Sequence, residues 1–94
     1  MFWNTRSRTG PDSPNGYSVA VQVTDAGWSW GADHYADVIV RDLSGRERAK
    51  WNDPNGQQSI EAVDRLVSSM RWNTAERLEF QTAEGESVNL RITP

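Results

Sequence analysis

The chain contains no cysteine and only one histidine. The first absence removes disulfides, thiol nucleophiles and cysteine-ligated zinc. The second leaves His34, with Asp33 before it and Asp37 after it, as the sole imidazole. A zinc site commonly takes three or four His, Cys or carboxylate ligands, so this single histidine is a poor nucleus for one. Phosphate-binding loops are missing as well, because Asp53-Pro54-Asn55-Gly56 is not followed by the Lys-Ser/Thr element. The G-x-S-x-G elbow of many hydrolases is also absent. These gaps predict a protein without catalytic residues, cofactor or metal.

Long apolar runs are missing too. The longest, Val38-Ile39-Val40, is far short of a bilayer span. The opening residues Met-Phe-Trp-Asn-Thr-Arg-Ser-Arg lack the apolar core of a secretory signal. A small secreted domain usually reinforces a thin core with disulfides, so the cysteine-free composition points to the cytoplasm. Strong charge of one sign is absent: 13 acidic and 10 basic side chains leave a net −3. A charge that small neither draws nucleic acid to the whole molecule nor imitates it.

What remains is a composition suited to one folded domain. The 94 residues are 36% hydrophobic and 24% charged, and single domains commonly span about 50–200 residues. Residues 1–16 are rich in Asn, Thr, Ser, Arg, Gly and Pro without apolar period, which predicts a flexible N-terminal arm. Phe2 and Trp3 are its two large aromatic residues. From residue 17 onward the pattern changes. Tyr17, Val19, Val21 and Val23 alternate with Ser18, Ala20, Gln22 and Thr24, the period of a half-buried strand. A second strand is expected from Tyr35 to Asp42 and a third from Arg46 to Asn52. A two-residue loop at Ser44-Gly45 would pair Arg41 with Arg48, Val40 with Ala49 and Val38 with Trp51. A slip by one would set Val40 against Arg48 and carry charge onto the core face.

Asp53-Pro54-Asn55-Gly56 is a β-turn sequence. A helix is then expected from Gln57 to Arg71, with Ile60, Val63, Leu66, Val67 and Met70 forming its apolar stripe. A last hairpin sets Leu78, Phe80 and Thr82 against Val88 and Leu90 around Ala83-Glu84-Gly85, a three-residue loop with glycine at its bulge position. The expected class is α+β: a mostly antiparallel five-stranded sheet in the order β-β-β-α-β-β. One amphipathic helix covers one of its faces, and residues 17–94 make a single domain.

Two features could carry function. Five tryptophans are many for this length. Trp51 falls on a core face and Trp72 at the helix end, whereas Trp28 and Trp30 occupy the glycine-bracketed stretch 27–31. They either fold under the sheet edge or form an exposed anchor pair of the kind enriched at interfaces. The second feature is a basic stripe. In the expected register Arg41, Arg46, Arg48 and Lys50 share the outer face of the second hairpin with Ile39 and Leu43, and no acid is expected among them. Such cations could meet a protein partner's acidic surface or phosphates, or simply keep an edge soluble. The leading expectation is a small protein-interaction module, of inhibitor, immunity or accessory type. It would bind through Trp28, Trp30, Ile39 and the stripe, and homodimer formation is compatible with it. The alternative is a nucleic-acid binder that uses the stripe with a loop tryptophan stacked on a base.

Overall fold

Valine at positions 19, 21 and 23 and again at 38 and 40 supplies one apolar face to two neighbouring strands, and that face seeds the fold. In the computed structural model, which describes residues 4–25, 34–82 and 84–92, seven strands and one helix follow one another. They are β1 (Asn4–Thr9), β2 (Ser18–Asp25), β3 (His34–Arg41), β4 (Glu47–Trp51), α1 (Ile60–Ser68), β5 (Arg71–Thr74), β6 (Arg77–Gln81) and β7 (Ser87–Arg91). All strand pairs are antiparallel and each sheet is a meander: β1-β2-β3-β4 in the first and β5-β6-β7 in the second. The single five-stranded sheet expected from the sequence is therefore replaced by a four-stranded and a three-stranded sheet, with the chain mostly β around one helix.

Both additional strands come from polar sequence. Residues 4–16, expected as an unstructured arm, carry β1 and the turn into β2. Asn4 to Thr9 pair residue by residue with Asp25 to Ala20. The pairing sets Arg8 beside Val21, on the core side of the sheet. Its Nε donates 3.0 Å to Asp64 Oδ1 on the helix. An inward-facing charge on an edge strand discourages pairing with other chains. The connection closes at Ser13, whose Oγ accepts from the amides of Asn15 (3.0 Å) and Tyr17 (3.3 Å).

The second added strand, β5, takes Arg71 out of the expected helix. α1 starts later and ends sooner than residues 57–71. At its start, Ser59 accepts from the Ala62 amide at 3.1 Å. At its end, the Ser69 hydroxyl donates 2.7 Å to Leu66 O and accepts from the Gln81 amide at 2.8 Å. A side chain that caps the helix and simultaneously ties it to β6 stops propagation there.

The core joins both sheets. Val19, Val21, Val23, Ala36, Val38 and Val40 of the first sheet meet Val63, Leu66 and Met70 from the helix and its exit. Leu78, Phe80 and Ile92 complete it from the second sheet's side. The expected helix stripe is seen, with Ile60 and Val67 partly buried against this cluster. Trp51 packs edge-on to Phe80 at 5.1 Å between ring centroids, which links β4 to β6. Trp72 stacks on Tyr17 at 6.2 Å, and its Nε1 donates 2.8 Å to Pro11 O. These two aromatic pairs fasten one sheet to the other, and such pairs contribute about 0.5–1.5 kcal/mol each beyond area burial.

Candidate interaction surface

The link between β3 and β4 is a three-residue loop, not the two-residue loop expected. Asp42 N donates to Arg46 O at 3.0 Å and Gly45 N to Asp42 O at 2.9 Å, with Gly45 at φ 87°. A three-residue loop alone would displace the hairpin register by one residue. The displacement is cancelled one step further on. Arg41 pairs with Glu47 but Val40 pairs with Ala49, so Arg48 is the extra residue of a β-bulge. Val38 opposite Trp51 and Val40 opposite Ala49 are thus reached as expected, by a different route. Apolar burial fixes those pairs, and the loop and bulge adjust around them.

Asp42 organises the loop. Its Oδ1 accepts from Ser44 N (2.9 Å), the Ser44 hydroxyl (2.6 Å) and Arg46 N (3.0 Å), and its Oδ2 accepts from Arg48 Nη1 (3.3 Å). These donors hold its carboxyl down at about 2. The Ser44 hydroxyl is the largest cause and partial desolvation opposes it; the Arg46 amide, the Arg48 guanidinium and the Ser44 amide add to it. Asp42 is therefore a fixed anion at neutral pH, and it braces the loop that presents Leu43. Leu43 is 87% exposed, the one exposed large hydrophobic side chain among the described residues.

On the same hairpin the expected basic stripe is present in a modified form. Arg46 and Lys50 are exposed, while Arg41 and Arg48 are half-buried. The expectation that no acid lies among them does not hold. Arg48 is ion-paired with Asp42, and Glu47 stands opposite Arg41. The local sequence signal for the pairing was present, since an Asp opening a turn commonly turns its carboxylate back onto the loop amides. Four cations with two acids interleaved make a mixed basic surface, less suited to tracking a phosphate backbone than an unbroken stripe.

Ile39 is a correction. It lies on the opposite face of β3 from Val38 and Val40, yet it is only 2% exposed, so it offers no accessible contact. Trp28 and Trp30 lie outside the described residues, as do Phe2 and Trp3.

At the other end of β4 the structure assembles a feature that sequence reasoning saw only as a turn. Asp53 is 8% exposed and acts as an acceptor hub. Its Oδ1 accepts from Gly56 N at 2.9 Å, and its Oδ2 from Ala36 N and Gln57 Nε2, each at 3.1 Å. Main-chain bonds between His34 and Gln57 in both directions (3.1 and 2.6 Å) bind this turn to the start of β3. Asp37 accepts from Asp53 N at 3.0 Å. The available signal was the near-repeat of Ser13-Pro14-Asn15-Gly16 in Asp53-Pro54-Asn55-Gly56, each opened by a residue whose side chain accepts turn amides.

Elsewhere, an open groove of about 440 Å³ on the second sheet is lined by Ser69, Arg71, Glu79, Gln81, Ser87 and Asn89, among others. Its charges answer each other internally. Arg71 Nε and Asn73 Nδ2 both donate to Glu79, at 3.2 and 3.0 Å. Among the described residues no group of three or more His, Asp or Glu side chains is placed to hold a metal ion. No helix among them is long and apolar enough to cross a membrane. Compared with protein-family models, curated proteins and solved structures, the chain matches none.

Proposed function

We propose that the protein is a small interaction module that binds an acidic protein partner through the β3–β4 turn. The observation that carries this reading is Leu43, an almost fully exposed leucine on a loop braced by the hydrogen bonds of Asp42. A loop backbone braced before binding loses less entropy when it docks, and preorganisation of this kind favours affinity. Arg41, Arg46, Arg48 and Lys50 on the same hairpin would speed encounter with a negative surface and discriminate against basic ones. A function as inhibitor, immunity or accessory protein fits a single small domain whose contact surface is a turn rather than a catalytic cleft. The basic residues also suit phosphates, but Asp42 and Glu47 among them favour a protein surface over a nucleic-acid backbone.

The test is a pull-down from host lysate with nuclease present, comparing wild type with Leu43→Asp combined with Arg46→Glu. The expected result is one stoichiometric protein retained by wild type and lost by the double variant, with the melting temperature of the two alike. Recovery that collapses on nuclease treatment would replace this reading with nucleic-acid binding. Equal recovery by both proteins would move the surface away from the turn.

A further inference from the structure

On the outer face of the second sheet, Arg77 of β6 and Arg91 of β7 stand directly opposite each other. The hydrogen bonds of this hairpin include Thr82 N to Glu86 O at one end and Ile92 N to Glu76 O at the other. By the alternation of an antiparallel ladder, Arg77 and Arg91 therefore form a non-hydrogen-bonded pair, where side chains approach most closely. Like charges placed so destabilise a sheet. The other arginines that meet a charged residue across strands meet a glutamate: Arg41 opposes Glu47, and Arg71 opposes Glu79. Arg77 and Arg91 are both exposed, and neither guanidinium makes an ion pair or hydrogen bond among the described residues. The acid one row along this face, Glu79, is already occupied. Its Oε2 accepts from Arg71 Nε and its Oε1 from Asn73 Nδ2. Two adjacent cations are thus left without an anion.

The groove of about 440 Å³ begins in that next row. Glu79 and Asn89, opposite each other on β6 and β7, line it, two residues or about 7 Å along the strands from the arginines. Gln81 and Ser87, the pair beyond, continue it. The side chains of Gln81, Ser87 and Asn89 make no hydrogen bond among the described residues and are exposed. From this arrangement we infer a binding site for a phosphorylated sugar, its phosphate between Arg77 and Arg91 and its hydroxyls on Asn89, Gln81 and Ser87. A phosphate monoester carries close to two negative charges at neutral pH and three acceptor oxygens, which two guanidinium forks satisfy together. A carboxylate brings one charge and two oxygens, which a single guanidinium matches. Sugar hydroxyls both donate and accept, as do the amides and the hydroxyl that line the groove. Phe80 borders the groove but is 2% exposed, with its ring against Trp51, so a nucleobase finds no aromatic face to stack on.

The experiment is side-chain NMR of the labelled full chain at constant ionic strength, titrated separately with glucose 6-phosphate, glucose, inorganic phosphate and a phosphoserine peptide. Glucose 6-phosphate should give saturable shifts at Nε–H of Arg77 and Arg91 and at the side-chain amides of Gln81 and Asn89. Inorganic phosphate should move the arginine signals alone and bind several-fold more weakly, and glucose should give no saturable shift. Arg77→Gln and Arg91→Gln should each weaken the sugar phosphate by about tenfold or more, the loss expected for a hydrogen bond to a charged group. Asn89→Ala should weaken it several-fold and leave inorganic phosphate unchanged. Because the arginines repel each other, both arginine variants should melt no lower than wild type without ligand. A lower melting temperature in both would show that the pair is satisfied within the fold and would overturn the site. Absence of saturable shifts with glucose 6-phosphate, or equal affinity for it and for inorganic phosphate, would do the same. Tighter binding of the phosphoserine peptide would overturn the sugar assignment in favour of a phosphorylated protein.

Discussion

The two turns at the ends of β4 are built on one local plan and arrive at opposite results. Each opens with an aspartate, Asp42 or Asp53, whose carboxylate gathers turn amides, and each carries a glycine in the left-handed region, Gly45 at φ 87° and Gly56 at φ 73°. In the first turn the aspartate is half-buried and ion-paired with Arg48, and the loop holds Leu43 out into solvent. In the second the aspartate is buried, bonds across to β3 and encloses a cleft. Related turn chemistry therefore displays a side chain where most of it stays open to solvent and walls a pocket where a neighbouring hairpin stands against it. Local sequence sets the shape of the turn, and its surroundings set what the turn does.

The comparison is broken most forcefully at Asp53. Asp53→Ala strands the Ala36 and Gly56 amides and the Gln57 side-chain amide at once. With an unpaired buried donor costing about 1–3 kcal/mol, a total of about 3 kcal/mol or more is expected. For a domain of this size that lowers the melting temperature by roughly 15 °C or more in thermal denaturation. Asp42→Ala should cost clearly less, because its partners are close to water. Equal losses at the two aspartates would erase the distinction drawn between the turns.

A smaller effect is expected at Gly45. No atom lies within 4 Å of a Cβ added there, so Gly45→Ala isolates the backbone penalty of the left-handed conformation, about 1–2 kcal/mol by urea denaturation. The same change at Gly16, also at positive φ, meets only Leu43 side-chain atoms at 3.1–3.2 Å, which are free to move towards solvent, so a similar cost is expected.

The first turn also carries a pH dependence. The carboxyl of Asp42 is lowered from 3.8 to about 2 in the folded chain. A depressed carboxylate stabilises the fold fully above its unfolded value. That contribution is lost as the pH falls through the interval from 3.8 down to about 2. The difference in melting temperature between wild type and Asp42→Asn should therefore be constant from neutral pH to about 5 and vanish towards pH 2. A difference that persists at pH 2 would show that Asn at this position fails for reasons other than charge.

The mildest change is at the tip. Leu43→Asp alone should alter stability by no more than about 0.5 kcal/mol, since an exposed side chain away from caps and cores rarely does more. A larger loss would mean that Leu43 is held by packing and is not a displayed anchor.

How far these features were legible follows from where burial is strong. Val19, Val21 and Val23 in β2, the helix residues Val63 and Leu66, and Phe80 opposite Val88 were readable because each apolar period faces one core. The three-residue loop before β7 was readable from Gly85, and Thr82 N bonds Glu86 O at 2.9 Å as that loop requires. β1 was not readable. The sequence Asn4-Thr5-Arg6-Ser7-Arg8-Thr9 has no apolar period, and its strand conformation comes from the main chain of β2. β5 was hidden because the helical spacing runs on to Met70, and only Ser69, bonded to Gln81, marks the stop. The division into two sheets could not be read, since a period of two records which face is buried but not which strand lies alongside.

The same limit governs the candidate surface. The cations of the β3–β4 hairpin were evident in the sequence, but the bulge at Arg48 and its pairing with Asp42 arise from a loop one residue longer than the pattern implied. Ile39 was misplaced because alternation describes the side of the strand and not what comes to lie over it.

The most direct test of the account places a photo-crosslinking amino acid at position 43 and, as control, at the exposed Glu76 in the β5–β6 turn, followed by irradiation in host cells. The account predicts a single discrete adduct with an acidic protein from position 43, suppressed when Arg46→Glu is added, and none from position 76. Adducts that are alike at both positions, or none from position 43, would contradict the claim that the β3–β4 turn is the binding surface.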